Sequence, residues 1–289
     1  MILVTCSNGN LGRRVIKNLI AHDDVPPIRA AARTVGKIEK MLASRCTLLK
    51  ADYDDRASLD IAFRRVKTLL FISGNAGNAV RIPQHRAVIE AAKAAGVKRI
   101  VYTSFANPSP TSQFKLVQAH VETERMLAES GIDHTILRNG VYASNIDGFV
   151  ATAIKSGVLA MPSASARIAY VTHDDLAEAT AAVTLDPSHS GKTYDLTGPQ
   201  ASDTAEIAEA LSCALGRTIN GADLPHADFA AFLGSLGLDA AGADDLVSIY
   251  RAAAAGEYAK PSDDLAMLLG RTPTGICAYA AGLAAASAQ

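Results

Sequence analysis

The first 140 residues alternate short apolar runs with amphipathic stretches, and this alternation limits the fold more than any other feature of the chain. Strands read at 2–5 (ILVT), 28–32 (IRAAA), 46–50 (CTLLK), 67–72 (KTLLFI), 99–103 (RIVYT) and 133–137 (DHTIL). Helical stretches lie between them at about 11–21, 36–43, 56–64, 81–95 and 115–130, the fourth ended by Gly96 as a C′ residue. Strands joined through helices pair in parallel, and a parallel sheet is covered on both faces. Right-handed crossovers then favour a doubly wound arrangement. The expected fold class is α/β, a Rossmann-like doubly wound parallel sheet.

Beyond residue 140 the pattern loosens. Thr172-His173-Asp174-Asp175 opens an apolar helix with Thr172 as N-cap and Asp175 at N3, and Asp203-x-x-Glu206 opens another. A short strand reads at 192–196 (KTYDL), and residues 221–289 are rich in Ala and Gly and helical by pattern. Neither a repeat nor a disordered linker is visible. We expect one domain over 1–289, with a small, mostly helical C-terminal lobe built from about 141–165 and 197–289. Within it, His173 reads as structural, while His226 and Phe229 are candidates for an acceptor pocket.

Composition excludes several classes of partner. The formal net charge is -1, so no global field draws nucleic acid or an anionic membrane. Trp is absent and aromatics are few, which argues against base-stacking platforms. Cys6, Cys46, Cys213 and Cys277 form no C-x-x-C pair, so neither a metal site nor a disulfide framework is expected. Scattered thiols and the lack of a signal or membrane-spanning run predict a soluble cytoplasmic protein.

The stretch Val4-Thr5-Cys6-Ser7-Asn8-Gly9-Asn10-Leu11-Gly12 joins the first strand to the first helix. It has the spacing G-x-x-G-x-x-G, with Cys6 in the place of the first glycine. In a dinucleotide loop the first glycine eases the turn, the second admits the pyrophosphate and the third lets helix and strand pack closely. The alternative is a plain strand-to-helix turn. At the end of the second strand, where an NAD site places an acid, Arg33 stands with Lys37 four residues on. Two cations there suit a 2′-phosphate, so NADP(H) is favoured, against the alternative of two solvated surface charges. Asp52 and Tyr53 end the third strand and could flank the adenine. Ser73-Gly74-Asn75, Thr103-Ser104 and Arg138-Asn139-Gly140 follow later strands, and all three loops belong to the carboxyl rim where ligands lie.

These stretches together resemble the NmrA-like branch of the atypical short-chain dehydrogenases/reductases, in particular its bacterial NADPH:quinone oxidoreductases of the second type and its triphenylmethane reductases. The likeness is carried by TCSNGNLG, RTVGK, ADYDD, LLFISG, QHRAVIEAAKAAGVKRIVYTS, AHVETERMLAESGI and TILRNGVY, and later by GKTYDLTG and KPSDDLAMLLGRTPT. It implies NADP(H) held by the loop at 6–12, by Arg33 and Lys37, and by the rims at 73–75 and 138–142. It also implies hydride transfer to a small quinone-like or conjugated, dye-like acceptor. A homodimer is compatible with it.

The wider superfamily uses Tyr-x-x-x-Lys on the helix after the fifth strand as its proton relay. Here those places hold Leu116 and His120, a pattern that the resemblance assigns to the quinone and dye reductases. Such acceptors take hydride with little proton donation, leaving orientation as the main requirement. His120 has two readings: a ribose contact or proton relay, or a partly exposed residue paired with Glu124 at i+4. Tyr142 either meets nicotinamide or substrate, or packs; Asn139 offers both donor and acceptor to a ligand. His85 reads as a helix residue facing solvent or a loop. Cys6 is either a tolerated small residue or, beside a helix N-terminus, an oxidisable thiol. Two other functions remain open: a non-catalytic NADP(H)-sensing regulator, and a biosynthetic reductase or isomerase on the same scaffold.

Overall fold

The computed structural model describes residues 1–38, 42 and 44–287. The chain forms two compact units. The first comprises Met1–Phe105, Gln118–Arg138 and His173–Asp195; the second comprises Ala106–Val117, Asn139–Thr172 and Leu196–Gln289.

The first unit is organised by a seven-stranded sheet. Its strands are β1 (Ile2–Val4), β2 (Ile28–Ala32), β3 (Thr47–Lys50), β4 (Thr68–Ile72), β5 (Arg99–Phe105), β6 (Asp133–Asn139) and β8 (Thr193–Leu196). Their order is β3-β2-β1-β4-β5-β6-β8, and the pairs β1–β2, β1–β4, β2–β3 and β4–β5 are parallel. The order reverses at β1, so the chain leaves β1 and β4 in opposite directions and opens a crevice at their carboxyl ends. Those ends carry Cys6 and Ser73.

The helices of this unit are α1 (Asn10–Ile20), α2 (Arg56–Ala62), α3 (Asn78–Ala94), α4 (Gln118–Ser130) and α6 (His173–Leu185). On α1, Leu11, Gly12, Val15, Ile16 and Leu19 are buried, one stripe at helical spacing. Each large side chain of that stripe contributes about 1.5–3 kcal/mol relative to exposure. A separate core cluster holds Phe63, Phe71, Leu69, Ile100 and Leu127, all fully buried. Helix α3 starts at Asn78, earlier than its apolar pattern suggests, and keeps Pro83 inside it. Gly96 follows its C-cap at φ +71°, a left-handed close that glycine adopts without strain.

Of the helix expected at 36–43, a 3-10 turn is present at Val35–Lys37 and Leu42 is helical, while 39–41 and 43 lie outside the described residues. The helix expected at 115–130 is a 3-10 turn, Lys115–Val117, followed by α4.

Arg99, at the start of β5, is buried and donates to three carbonyls at the end of α6: Val183 O at 3.0 Å, Thr184 O at 2.6 Å and Asp186 O at 2.6 Å. A cation there satisfies orphan carbonyls and the negative end of the helix dipole. Arg99→Ala is expected to destabilise the protein by about 3 kcal/mol, since each hydrogen bond to a charged group is worth about 1.5–3 and the carbonyls are left in a dry site. Thermal unfolding monitored by circular dichroism checks it; Arg99→Lys should recover only part of the loss.

The second unit contains β7 (Val158–Met161) paired in parallel with β9 (Asn220–Asp223). Its helices are α5 (Asp147–Ser156), α7 (Thr204–Leu215), α8 (His226–Ser235), α9 (Ala240–Ala254), α10 (Asp264–Leu269) and α11 (Ile276–Ser287). The expected lobe segments 141–165 and 197–289 lie in this unit, which also takes in 106–117. Asp203 and Glu206 form the expected reciprocal capping box on α7. Phe149, Phe229 and Tyr250 stack around one another at ring separations of 5.5–6.3 Å. His226 lies against the Ser163 hydroxyl at 2.9 Å. The β7–β9 pair has no sequence signal of its own: Asn220-Gly221-Ala222-Asp223 lacks any apolar alternation. Among the described residues, no helix is long and apolar enough to cross a membrane.

Candidate active site

The turn after β1 determines how closely a ligand can approach the backbone. Cys6 has φ +48°, inside the left-handed region. The place where the loop pattern has a glycine therefore does hold a glycine-type backbone, at a cost of about 1–2 kcal/mol for a cysteine. The Gly9 amide donates to Cys6 O at 2.9 Å and closes the turn. Gly12 packs directly on it: a Cβ there would stand 2.4 Å from Cys6 O. Ser7 is buried and fully committed. Its hydroxyl donates to Val4 O at 2.7 Å and accepts from the Ala31 amide at 2.9 Å, tying the turn to β2. Asn8 and Asn10 are exposed, and Leu11 is buried beneath them.

The Cys6 thiol contacts the Tyr53 hydroxyl at 3.5 Å, and Tyr53 donates to Ile72 O at 2.8 Å. Burial pushes the Cys6 thiol above the ordinary cysteine range, outweighing the Tyr53 contact and the positive Arg33. The idea of an activated, oxidisable thiol is thereby corrected: desolvation disfavours the thiolate more than the local positive groups favour it. Because the pKa is raised, the thiolate fraction near pH 8 is below that of an ordinary cysteine. Iodoacetamide at pH 8 is expected to label the exposed Cys213 well before Cys6, as read by peptide mass spectrometry.

Arg33 follows β2 directly and is exposed, as is Lys37 at the end of the 3-10 turn. Asp52, half-buried, accepts from the Asp54 amide at 3.2 Å, while Gln84 bonds Asp54 at 2.7 Å.

The rim after β4 and β5 rests on a buried polar chain. The Ser73 amide donates to Thr103 Oγ1 at 3.1 Å, and Ser73 Oγ lies 3.4 Å from His85 Nε2. His85 Nδ1 is 2.7 Å from Thr123 Oγ1, whose own proton goes to Ala119 O at 2.5 Å. Arg81 donates to Gly74 O at 3.2 Å and lies 3.5 Å from His120 Nε2. His120 Nδ1 meets the Tyr102 hydroxyl at 2.9 Å. Asn75 is exposed beyond this chain.

Two histidine expectations change here. His85 meets the loop after β4 at Ser73 but does not face solvent: it is fully buried against Phe71 and Tyr102, and burial lowers its pKa to about 3, with Arg81 adding to the shift. His120 is not a partly exposed partner of Glu124. It is 6% exposed, and burial, then Arg81, then His85 hold its pKa well below the imidazole range. Glu124 instead accepts from Ser104 Oγ at 2.6 Å and takes Arg138 in a fork at 2.7 and 3.1 Å. The side chains of Ser104 and Arg138 are therefore spent on Glu124. Burial also pushes the Tyr102 phenol upward, which makes it a poor acid at neutral pH.

Sequence reasoning missed Arg81 and Tyr102, and it named Tyr53 for the adenine without its buried hydroxyl's bond to Ile72 O. Arg81 and His85 stand at i, i+4 on α3, which is a usable signal once the face is known to be buried. Tyr102 gave none, because a phenol in an apolar strand reads as core.

In the second unit, Asn139 is fully buried, and its amide makes no well-formed hydrogen bond among the described residues, with the Tyr142 hydroxyl as its polar neighbour. A buried, unsatisfied amide is costly, so such a group calls for an explanation. Its carbonyl accepts from the Ala106 amide at 2.8 Å, and the Gly140 amide donates to Leu196 O at 2.8 Å. Tyr142 bridges to Val171, with its phenol pushed upward by burial.

Comparison with known proteins bears on the family and the fold. Residues 1–269 match the NmrA-like family. The chain is 39% identical over 274 residues to quinone oxidoreductase 2 of Escherichia coli (strain K12), covering 95% of each chain. The crystal structure of that NADPH-dependent enzyme with NADPH superposes with a TM-score of 0.90, covering 98% of this chain and 99% of that one. The Citrobacter sp. triphenylmethane reductase complexed with NADP(H) is 32% identical, covers 100% of both chains and has a TM-score of 0.90.

Proposed function

Since this chain belongs to the NmrA-like family, we propose that it is an NADPH-dependent oxidoreductase that delivers hydride to a quinone-like or conjugated, dye-like acceptor without a Tyr-x-x-x-Lys relay. The observation that carries this reading is the state of α4 and the turn before it. Leu116 has no titratable group, and His120 is buried, neutral and engaged at both nitrogens. A simple ketone needs an acid to meet the forming alkoxide. A quinone or a cationic dye spreads the arriving charge over its conjugated system and needs little help. His120 then holds position instead of donating a proton.

The residues of the first unit fit the cofactor. The Gly12–Cys6 packing leaves the turn and the α1 N-terminus bare for phosphate, with Asn8, Gly9 and Asn10 on it. Ser7 and Leu11 shape that turn from beneath. Arg33 and Lys37 are exposed and would hold a 2′-phosphate, and Asp52 would border the adenine. Ser73, Gly74, Asn75 and Thr103 offer polar groups to the ribose side, while Ser104 and Arg138 support the rim through Glu124. Bound there, NADPH supplies the hydride. In the second unit, Asn139 is the candidate for a ligand contact because its amide is unsatisfied, with Gly140 and Tyr142 beside it in sequence. The relatives with quinone and dye reductase names support this acceptor class.

The test is NADPH oxidation by the purified protein with 1,4-benzoquinone, a triphenylmethane dye, an enone and a simple ketone. Turnover is expected with the quinone or the dye and not with the ketone. Tight NADPH binding with no turnover on any acceptor sinks the reading and favours a sensor.

A further inference from the structure

Beneath the loop that ends β4 lies a guanidinium that the reaction chemistry does not call for. Arg81 is 5% exposed and stands in the first turn of α3. It reaches three groups from three places: Gly74 O at 3.2 Å, His120 Nε2 at 3.5 Å and Asn78 Oδ1 at 3.5 Å. Asn78 Oδ1 also accepts from the Ala119 amide at 3.2 Å, one of the orphan donors of the first turn of α4.

We propose that Arg81 is a positioning residue that pins the Gly74 carbonyl and fixes His120 as the Nδ1–H tautomer against the Tyr102 hydroxyl. The argument rests on obligate roles. Arginine has five donors and no acceptor. The His120 nitrogen facing it must therefore be the bare one, so the ring proton sits on Nδ1 and donates to the Tyr102 oxygen at 2.9 Å. The same logic fixes His85. The Thr123 hydroxyl spends its proton on Ala119 O, so it accepts from His85 Nδ1–H, while Ser73 Oγ lies 3.4 Å from His85 Nε2 and donates to Gly74 O at 3.2 Å. Both imidazoles thus carry a proton on Nδ1, and the Gly74 carbonyl is held by Arg81 from below and by Ser73 from beside it. The titratable and charged groups around His120 are Arg81 and His85 of α3, Tyr102 of β5 and, one step further, Glu124 of α4. None of them supplies an acceptor to Nε2. Arg81 thereby sets the shape of the loop and keeps His120 out of proton traffic.

The proposal rests on the NADPH reading for its consequence, since the loop it shapes is assigned to the ribose side, but the tautomer can be read without any cofactor. The experiment uses the full-length protein labelled with ¹⁵N-histidine, long-range ¹H–¹⁵N spectra from pH 5 to 8, and His120→Gln for assignment. His120 is expected neutral with its proton on Nδ1 throughout. In Arg81→Gln, whose side-chain oxygen can accept, the Nε2–H form should appear, and the NADPH dissociation constant should rise about tenfold for one lost charge-assisted bond. Arg81→Lys, again donor-only, should restore the Nδ1–H form and most of the affinity. A wild-type His120 that carries its proton on Nε2 or titrates in this range overturns the proposal. So does an Arg81→Gln protein with unchanged tautomer and unchanged NADPH affinity. If Arg81→Gln does not fold, Arg81→Lys and the wild-type spectra still decide it. A tautomer response as expected in a protein that fails to bind NADPH supports the positioning role while removing the cofactor reading.

Discussion

Gly12→Ala is expected to abolish NADPH binding in the micromolar range and to lower thermal stability by about 2–3 kcal/mol, the usual cost of overpacking a filled site. The added Cβ would stand 2.4 Å from Cys6 O, 3.0 Å from Cys6 C and 3.1 Å from Ser7 Cα. All three are backbone atoms, so no side chain can swing aside. Ser7 prevents the turn from moving as a body, because its hydroxyl and amide tie it to Val4, Ala31 and β2. The helix must therefore lift away from the turn, and the amides at its N-terminus leave the place where phosphate would lie. Gly9→Ala serves as the graded control: its Cβ would meet Cys6 O at 3.2 Å, a milder crowding. Fluorescence titration with NADPH and thermal unfolding separate the two effects. An alanine at 12 that binds NADPH normally would falsify the loop assignment.

Arg33→Ala is expected to weaken NADPH by about 10- to 100-fold and to leave NADH almost unchanged, since a charge-assisted contact to phosphate is worth about 1.5–3 kcal/mol. Lys37→Ala should cost less, because an ammonium on a flexible stem is a looser phosphate partner than a planar guanidinium. Both effects should shrink as salt rises, since these side chains are exposed and screened. Equal NADPH-to-NADH preference in Arg33→Ala and wild type removes the NADP(H) assignment and leaves two solvated surface cations.

The parallel sheet, its helices and its turn at the first strand were legible before any coordinates, because buried parallel strands are apolar end to end and their crossover helices repeat at helical spacing. Tertiary packing adjusted the ends. Pro83 did not stop α3 from starting at Asn78, where Gly77 precedes it, and the segment before α4 tightened into a 3-10 turn. The second unit was legible only as helical, because a strand pair such as Val158–Met161 with Asn220–Asp223 joins segments about sixty residues apart that carry no shared pattern.

At the site, the residues with a fixed place relative to a strand end could be named from order alone: Cys6, Gly9, Gly12, Arg33, Ser73 and Asn139. Which way their side chains turn could not. Ser7 was nameable as a loop residue, but only the fold spends its hydroxyl between β1 and β2. Glu124 and His120 share a helix face at i, i+4, and the sequence alone leaves their pairing open beside a ribose contact for His120. The fold gives Glu124 a better partner in Arg138, a bidentate guanidinium fourteen residues on, and gives His120 to Tyr102 and Arg81. By itself, then, the sequence determined the sheet, the tight turn after β1 with its cysteine at a glycine-type position, and the cations after β2, all of which follow from local spacing and residue type. Only the tertiary structure decided that His85 and His120 are buried and neutral, that burial raises the Cys6 thiol above the ordinary cysteine range and that Arg81 lies under the rim. Charge state and hydrogen-bond direction depend on what packs around a group from other strands and helices, and no local pattern encodes that.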